Sequence, residues 1–270
     1  MVKEVHQDFI KAGARIITIN SYTATPSRLA RDGQPEWFEK LQQRALDIAR
    51  EARENMGASG EAVQIAGCLP PLSGSYTAEQ RSVEELKEEY DRIVALQSPK
   101  VDLFIAETIS SIREAQAVVA AALESGKPVL LSFTLSDKSR GQLRSGEKIE
   151  DAVQQMADSG IAGLMFNCSY PETIAEGISS ISSLELPIGG YANAFNSVDP
   201  LKTGGTVDQL EAREDLDEEV YTSHAMKWVS QGASLVGGCC EVGPSYIRHL
   251  HQRLLDAGYK VTNLKGVVSK

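Results

Sequence analysis

What most constrains this chain is a recurring unit: an amphipathic helix, a glycine where the helix stops, then a short apolar run. The clearest copies are FIKAG-ARIITIN, AALESG-KPVLLSF, MADSG-IAGLMFN and WVSQG-ASLVGG. Gly13, Gly126, Gly160 and Gly232 stand where a helix C-terminus calls for a left-handed residue, a conformation that glycine adopts at little cost. The apolar runs that follow are short and β-prone, as strands buried on both faces are. Helix and strand in alternation predict a parallel sheet.

Helix starts are marked too. Ser82-Val-Glu-Glu85 and Ser111-Ile-Arg-Glu114 both have capping-box spacing. The pattern predicts helices over about 3–12, 35–56, 82–96, 111–124, 147–159, 172–183, 217–231 and 244–257. It predicts strands over about 15–20, 62–67, 101–106, 128–134, 161–166, 187–192 and 233–237. Seven strands and eight helices, opening on a helix, read as an α/β (β/α)8 TIM-type barrel with strand 1 missing from the chain. The alternative is an open doubly wound sheet. No Gly-x-Gly-x-x-Gly turn follows an early strand, which weakens a dinucleotide-binding reading.

No linker or low-complexity stretch divides the chain, so residues 1–270 are expected to form one domain. A length of 270 residues with 42% apolar content suits that size. The net charge of −10 offers no electrostatic footprint for nucleic acid. No apolar run approaches the roughly 18 residues of a membrane span, and the N-terminus lacks an export signal's apolar core. Four cysteines are too few for a disulfide scaffold, and a reducing cytoplasm is the expected compartment.

In an α/β barrel the chemistry sits at the C-terminal ends of strands. Those ends carry Asn20-Ser21-Tyr22-Thr23, Cys68-Leu-Pro-Pro, Glu107-Thr108, Asn167-Cys168, Tyr191-Ala-Asn193 and Gly238-Cys239-Cys240. All four cysteines therefore fall on one rim. Zinc favours thiolates, and a catalytic site supplies three protein ligands with one open position. Adjacent cysteines on a regular strand face opposite ways. Gly237 and Gly238 are expected to allow the bend that turns Cys239 and Cys240 toward one metal, with Cys168 as the third ligand. Three thiolates on Zn²⁺ leave a formal charge of about −1, which suits holding an incoming thiol as thiolate better than hydrolysis. Spacing alone leaves open two other readings, plain buried residues and a strained vicinal disulfide. Cys68 is either a fourth ligand or packing beneath the Pro70–Pro71 turn.

Glu107 ends an apolar strand and would be costly to bury unpaired. It is read as an anchor for a substrate ammonium, the alternative being a salt bridge to a rim Arg or Lys. Asn193 is a second substrate- or metal-facing candidate, the alternative being an Asx-type turn. Asn20 and Tyr22 either line the pocket or cap turns. His6, His224, His249 and His251 fall on helices and read as surface residues. The segment Asn196–Asp215, with Gly204-Gly205 and several acids, is either a lid or a solvated insertion.

These residues resemble the homocysteine S-methyltransferase family. The matching segments are NSYTATP (20–26), GCLPPLSGSY (67–76), AETISS (106–111), FNCSYPE (166–172), GGYANAF (189–195) and VGGCCEVGPSYI (236–247). The resemblance implies an eight-fold barrel with Zn²⁺ on Cys168, Cys239 and Cys240. It also implies a homocysteine thiolate at the open position, with Glu107 on its amino group, and an Asn193 able to approach the metal when substrate is absent. Family members begin with a strand ending in an Asp-Gly turn that helps bind homocysteine, and this sequence starts after that point. It is thus a fragment, a sequence with a misassigned start, or a shortened protein, whose two sheet edges should pair across the gap. Glu241 and Tyr246 replace the Gly and His of many members. The expected donor is S-methylmethionine or S-adenosylmethionine. Betaine calls for an aromatic cage, and aromatics make up only 6% of the chain. The alternatives are a catalytically impaired zinc-binding barrel and a cysteine-based thiol enzyme.

Overall fold

The computed structural model describes residues 1–202 and 206–267. Seven parallel strands form one sheet in sequential order. They are β1 (Ile16–Thr18), β2 (Gln64–Leu69), β3 (Leu103–Ile109), β4 (Val129–Phe133), β5 (Gly163–Asn167), β6 (Ile188–Tyr191) and β7 (Leu235–Val236). Helix α1 (Val2–Lys11) precedes β1, and α2 (Pro26–Arg31), α3 (Phe38–Glu54) and α4 (Ala58–Glu61) lead to β2. The next crossovers are α5 (Val83–Gln97), α6 (Ile112–Leu123), α7 (Ile149–Met156) and α8 (Pro171–Ser180). Helices α9 (Asp199–Lys202) and α10 (Glu218–Ser230) precede β7, while α11 (Pro244–Asp256) and α12 (Leu264–Val267) follow it. This is the predicted βα repeat. Gly13, Gly126, Gly160 and Gly232 all take positive φ, from 70° to 106°, at the helix stops read from sequence. Ser82 and Glu85 form the full capping box. Ser111 caps α6 through Glu114 N, but the Glu114 carboxylate turns away to Leu72 N and Tyr90 Oη.

The sheet curls into a barrel wall. Alternate residues of successive strands point inward, so Ala66, Leu103, Ile105, Leu130, Met165 and Leu235 meet in one lumen cluster, with Ile16 of β1 against it. The opposite faces pack on the helices, with Ile65, Phe104, Leu131 and Phe166 in the larger core. The same alternation brings Cys68, Glu107, Ser132, Asn167 and Tyr191 inward at the upper ends. The lumen is therefore apolar below and polar above.

Several expectations need correction. The edges β1 and β7 do not pair, because the hydrogen-bonded order stops at each. β2 and β3 run past residues 67 and 106, so Cys68 and Glu107 lie inside strands rather than beyond them. Cys68 continues the ladder opposite Ile105, and a register shift between Ala106 and Ile109 lets β3 resume against Phe133. His6 is buried on α1, with Nε2 unpartnered, rather than on the surface. His224, His249 and His251 are half-buried. The segment 196–215 carries α9 and a 3-10 turn over Val207–Gln209, and closes on its own base through Asn196 N to Glu211 O and Arg213 N to Ala194 O. Gly204-Gly205 lie outside the described residues. No described helix is long and apolar enough to cross a membrane.

The short α2, α4, α9 and α12 were not foreseen. Of these, α12 matters most. Leu264 is 1% exposed and enters the lumen cluster from below, held by Leu264 N on Gln64 Oε1 (2.8 Å) and Asn263 Nδ2 on Ala62 O (3.2 Å). Leu264→Ala is expected to cost about 2–5 kcal/mol by opening a cavity in the barrel floor. Chemical denaturation measures it, and an unmoved midpoint would show that the plug contributes nothing.

Candidate metal centre

β5 ends at Asn167, and Cys168 turns away from the strand with φ 52°. It keeps one bond to the sheet, from Cys168 N to Tyr191 O (3.2 Å), and its side chain is buried. Beyond β7 the chain stays attached to the β6 extension through Cys239 N to Ala192 O (2.9 Å) and Ala194 N to Cys240 O (3.0 Å). A turn from Cys239 to Val242 closes through Val242 N to Cys239 O (3.1 Å). Glu241 is the left-handed residue of that turn, with φ 64°, whereas neither Gly237 nor Gly238 has positive φ. Gly238 serves close packing instead: a Cβ there would lie 2.2 Å from Val242 Cγ1.

This backbone brings the three predicted cysteines together. The sulfur separations are 3.0 Å for Cys168–Cys239, 3.9 Å for Cys168–Cys240 and 3.9 Å for Cys239–Cys240. All are free thiols. Tetrahedral zinc with sulfurs at about 2.3 Å spaces them about 3.8 Å apart. Two of the three separations already match, so the donor set fits a metal. Cys168 is buried, Cys239 partly so and Cys240 exposed, and the cluster opens toward solvent along that gradient. Hydrogen bonds from Cys168, then Cys239, pull the Cys240 thiol down to about 4, while Cys239 is held well above the thiol range by donating to Cys168, then Cys240, and by burial. A metal would replace those shared protons.

Around the thiols lies the polar upper layer. Glu107 Oε1 accepts from Cys68 Sγ at 3.1 Å. Cys68 therefore sits beneath Glu107, and it is not among the residues that could share a metal. Burial pushes the Glu107 carboxyl up to about 7, the Cys168 charge adds to this, and the Cys68 bond pulls the other way. Among the described residues no Lys or Arg forms an ion pair with Glu107. Asn193 makes the Asx turn, with Oδ1 accepting from Phe195 N (3.1 Å), yet its buried Nδ2 has no partner. Tyr22 Oη meets Ser75 Oγ at 2.8 Å, with the Arg28 guanidinium 5.2 Å from its ring. Asn20 is exposed beyond β1 and is not drawn into the cluster.

Sequence reasoning missed several groups here. Asn167 Oδ1 accepts from Thr108 N and Ser132 Oγ, both at 2.8 Å, and Asn167 Nδ2 donates to Thr108 Oγ1 (2.9 Å). One amide thus ties β3, β4 and β5 beside Glu107. Its inward position was readable, two residues past Met165. Tyr191 Oη and Ser21 Oγ are buried without partners, as Asn193 Nδ2 is. Buried polar atoms left unpaired are uncommon and invite a ligand. Tyr76 Oη donates to Cys168 Sγ (3.1 Å), and no spacing signal pointed to it.

A family model described as homocysteine S-methyltransferase matches residues 1–254. The chain belongs to that family. It is 30% identical to homocysteine S-methyltransferase 1 of Arabidopsis thaliana, over 94% of this chain and 83% of that protein. It is 28% identical to a selenocysteine methyltransferase of Astragalus bisulcatus, over 97% of this chain and 84% of the relative. Among solved structures, the metallated form of Escherichia coli homocysteine methyltransferase MmuM superposes with a TM-score of 0.77 at 25% identity, over 93% of this chain and 84% of that one. Membership in the homocysteine S-methyltransferase family makes this chain a methyltransferase on a TIM-barrel-type fold, as its motifs imply.

Proposed function

We propose that this chain transfers a methyl group from a sulfonium donor, S-methylmethionine or S-adenosylmethionine, to homocysteine, using Zn²⁺ held by Cys168, Cys239 and Cys240. The observation that carries this is three free thiols within 3.9 Å of one another at the open end of this family's barrel. Zinc there would supply the Lewis acidity that keeps an acceptor thiol deprotonated at neutral pH. The acceptor thiol would release its proton to solvent on binding, and its sulfur attacks the methyl carbon. The methyl–sulfonium bond breaks, and its electron pair stays with the donor sulfur as a neutral thioether. Glu107, ionised, holds the acceptor's ammonium and fixes its direction of approach. Asn193 Nδ2 and Tyr191 Oη offer donors to its carboxylate, while Tyr22 and the more distant Asn20 border the mouth.

The test is metal content set beside methionine formation. The purified protein is expected to carry about one zinc per chain. A chelator is expected to remove zinc and activity together, and added zinc to restore both. Methionine formation that survives full zinc removal would sink the reading. Offering S-methylmethionine, S-adenosylmethionine and betaine in parallel identifies the donor. The unpaired β1 and β7 edges favour one second reading, a metal-binding barrel with impaired turnover. It predicts full zinc content with no methionine from any donor.

A further inference from the structure

Four non-glycine residues among those described have a left-handed backbone: Tyr76 (φ 64°), Thr108 (60°), Cys168 (52°) and Glu241 (64°). All four lie at the cysteine centre. Such conformations are unfavourable for residues with a Cβ, and they persist where the surroundings impose them, commonly at functional sites. Cys168 and Glu241 shape the two turns that carry the sulfurs, and Thr108 follows Glu107 and is clamped by Asn167. Tyr76 is different. It belongs to the loop after β2 and lies 92 residues from the sulfur it touches.

The Tyr76 side chain is held from every side. It is 4% exposed, and its hydroxyl donates to Cys168 Sγ at 3.1 Å. The Arg144 guanidinium lies 5.2 Å from its ring centroid. Arg144 is itself buried and paired with Asp137, which also accepts from Tyr170 N. A cation on the ring face draws charge from the ring and strengthens the hydroxyl as a donor.

We propose that Tyr76 is a positioning residue whose hydrogen bond to Cys168 withdraws charge from that sulfur and keeps a three-thiolate centre acidic enough to hold a fourth thiol as thiolate. The inference rests on the zinc reading above. Three unopposed thiolates leave the centre at a formal charge of about −1, which weakens its pull on another ligand. Hydrogen bonds to ligand atoms are a general way to tune such a centre. Outside the trio, Cys240 is exposed to solvent, and the approach to Cys239 comes from Asn167 Nδ2 at 4.0 Å. Cys168 is the sulfur buried from water, so its donor has to come from the protein, and Tyr76 supplies it.

The test loads the full chain with Co²⁺ and reads the thiolate-to-cobalt charge-transfer band. Tyr76→Phe keeps the ring and the Arg144 contact and removes only the hydroxyl. The band is expected to move to longer wavelength at unchanged cobalt content, and kcat/KM with homocysteine to fall about 10- to 100-fold, the worth of one hydrogen bond to a charged group. Fluorotyrosine placed at position 76, a stronger donor, is expected to move the band the other way. A band that stays in place in Tyr76→Phe with full cobalt content overturns the proposal. If that variant loses cobalt, the fluorotyrosine protein decides, and an unmoved band there overturns it. A band absent from the unsubstituted protein overturns the zinc reading and this inference together, whereas a normal band insensitive to position 76 overturns this inference alone.

Discussion

Cys239→Ala is expected to remove the metal and abolish methionine formation in one step. Cys239 Sγ lies 3.0 Å from Cys168 and 3.9 Å from Cys240, so no other thiol among the described residues can stand in for it. Two remaining thiolates hold a divalent ion too weakly to survive dialysis, and the acceptor thiol then stays protonated at neutral pH. Losing a metal's several kcal/mol of stabilisation lowers the rate by about 10³-fold or more. Metal analysis of the dialysed variant and a methionine assay check the two halves. Full zinc retention would remove Cys239 from the ligand set.

Glu107→Gln is expected to act on binding instead. Truncating one partner of a buried charge pair costs about 3 kcal/mol, so kcat/KM for homocysteine should fall about 100-fold, mainly through KM, with zinc content unchanged. The acid limb supplies a second readout. With its carboxyl pushed up to about 7, Glu107 carries a proton at pH 6 and has released it by pH 8. An ammonium is held by the ionised form, so kcat/KM should fall about tenfold per unit as pH drops below 7. In the Gln variant that limb should flatten. A Gln variant that keeps both the KM and the acid limb would leave Glu107 as a buried strand residue with no part in binding.

The repeat was legible because its signals are local: a glycine at each helix stop and an apolar run after it. The cysteine trio was legible because strand ends in this architecture share one rim. What stayed hidden depends on register and on distant partners. Two extra residues at the end of β2 and three at the end of β3 turn Cys68 from a rim candidate into the neighbour of Glu107. The left-handed residue of the Cys239–Val242 turn is Glu241 rather than either preceding glycine, of which Gly238 serves close packing. Asn193 shows both faces of its alternatives, with one end of its amide spent on a turn and the other left unpaired. Tyr76 was legible only as the end of the GCLPPLSGSY segment, since nothing around it in sequence indicates a partner 92 residues away.

Leu264 has one more consequence, in the order of events during synthesis. Its backbone contact with Gln64 spans 200 residues, and it is made after all seven strands whose floor it seals. Domains form from the N-terminus as the chain emerges, and contacts of long sequence separation form late. Until residue 264 has left the ribosome, the lumen residues Ala66, Leu103 and Met165 face an unsealed cavity. Until then the nascent barrel holds an apolar interior open at its floor to water and to chaperones. That floor is sealed by the docking of a single leucine.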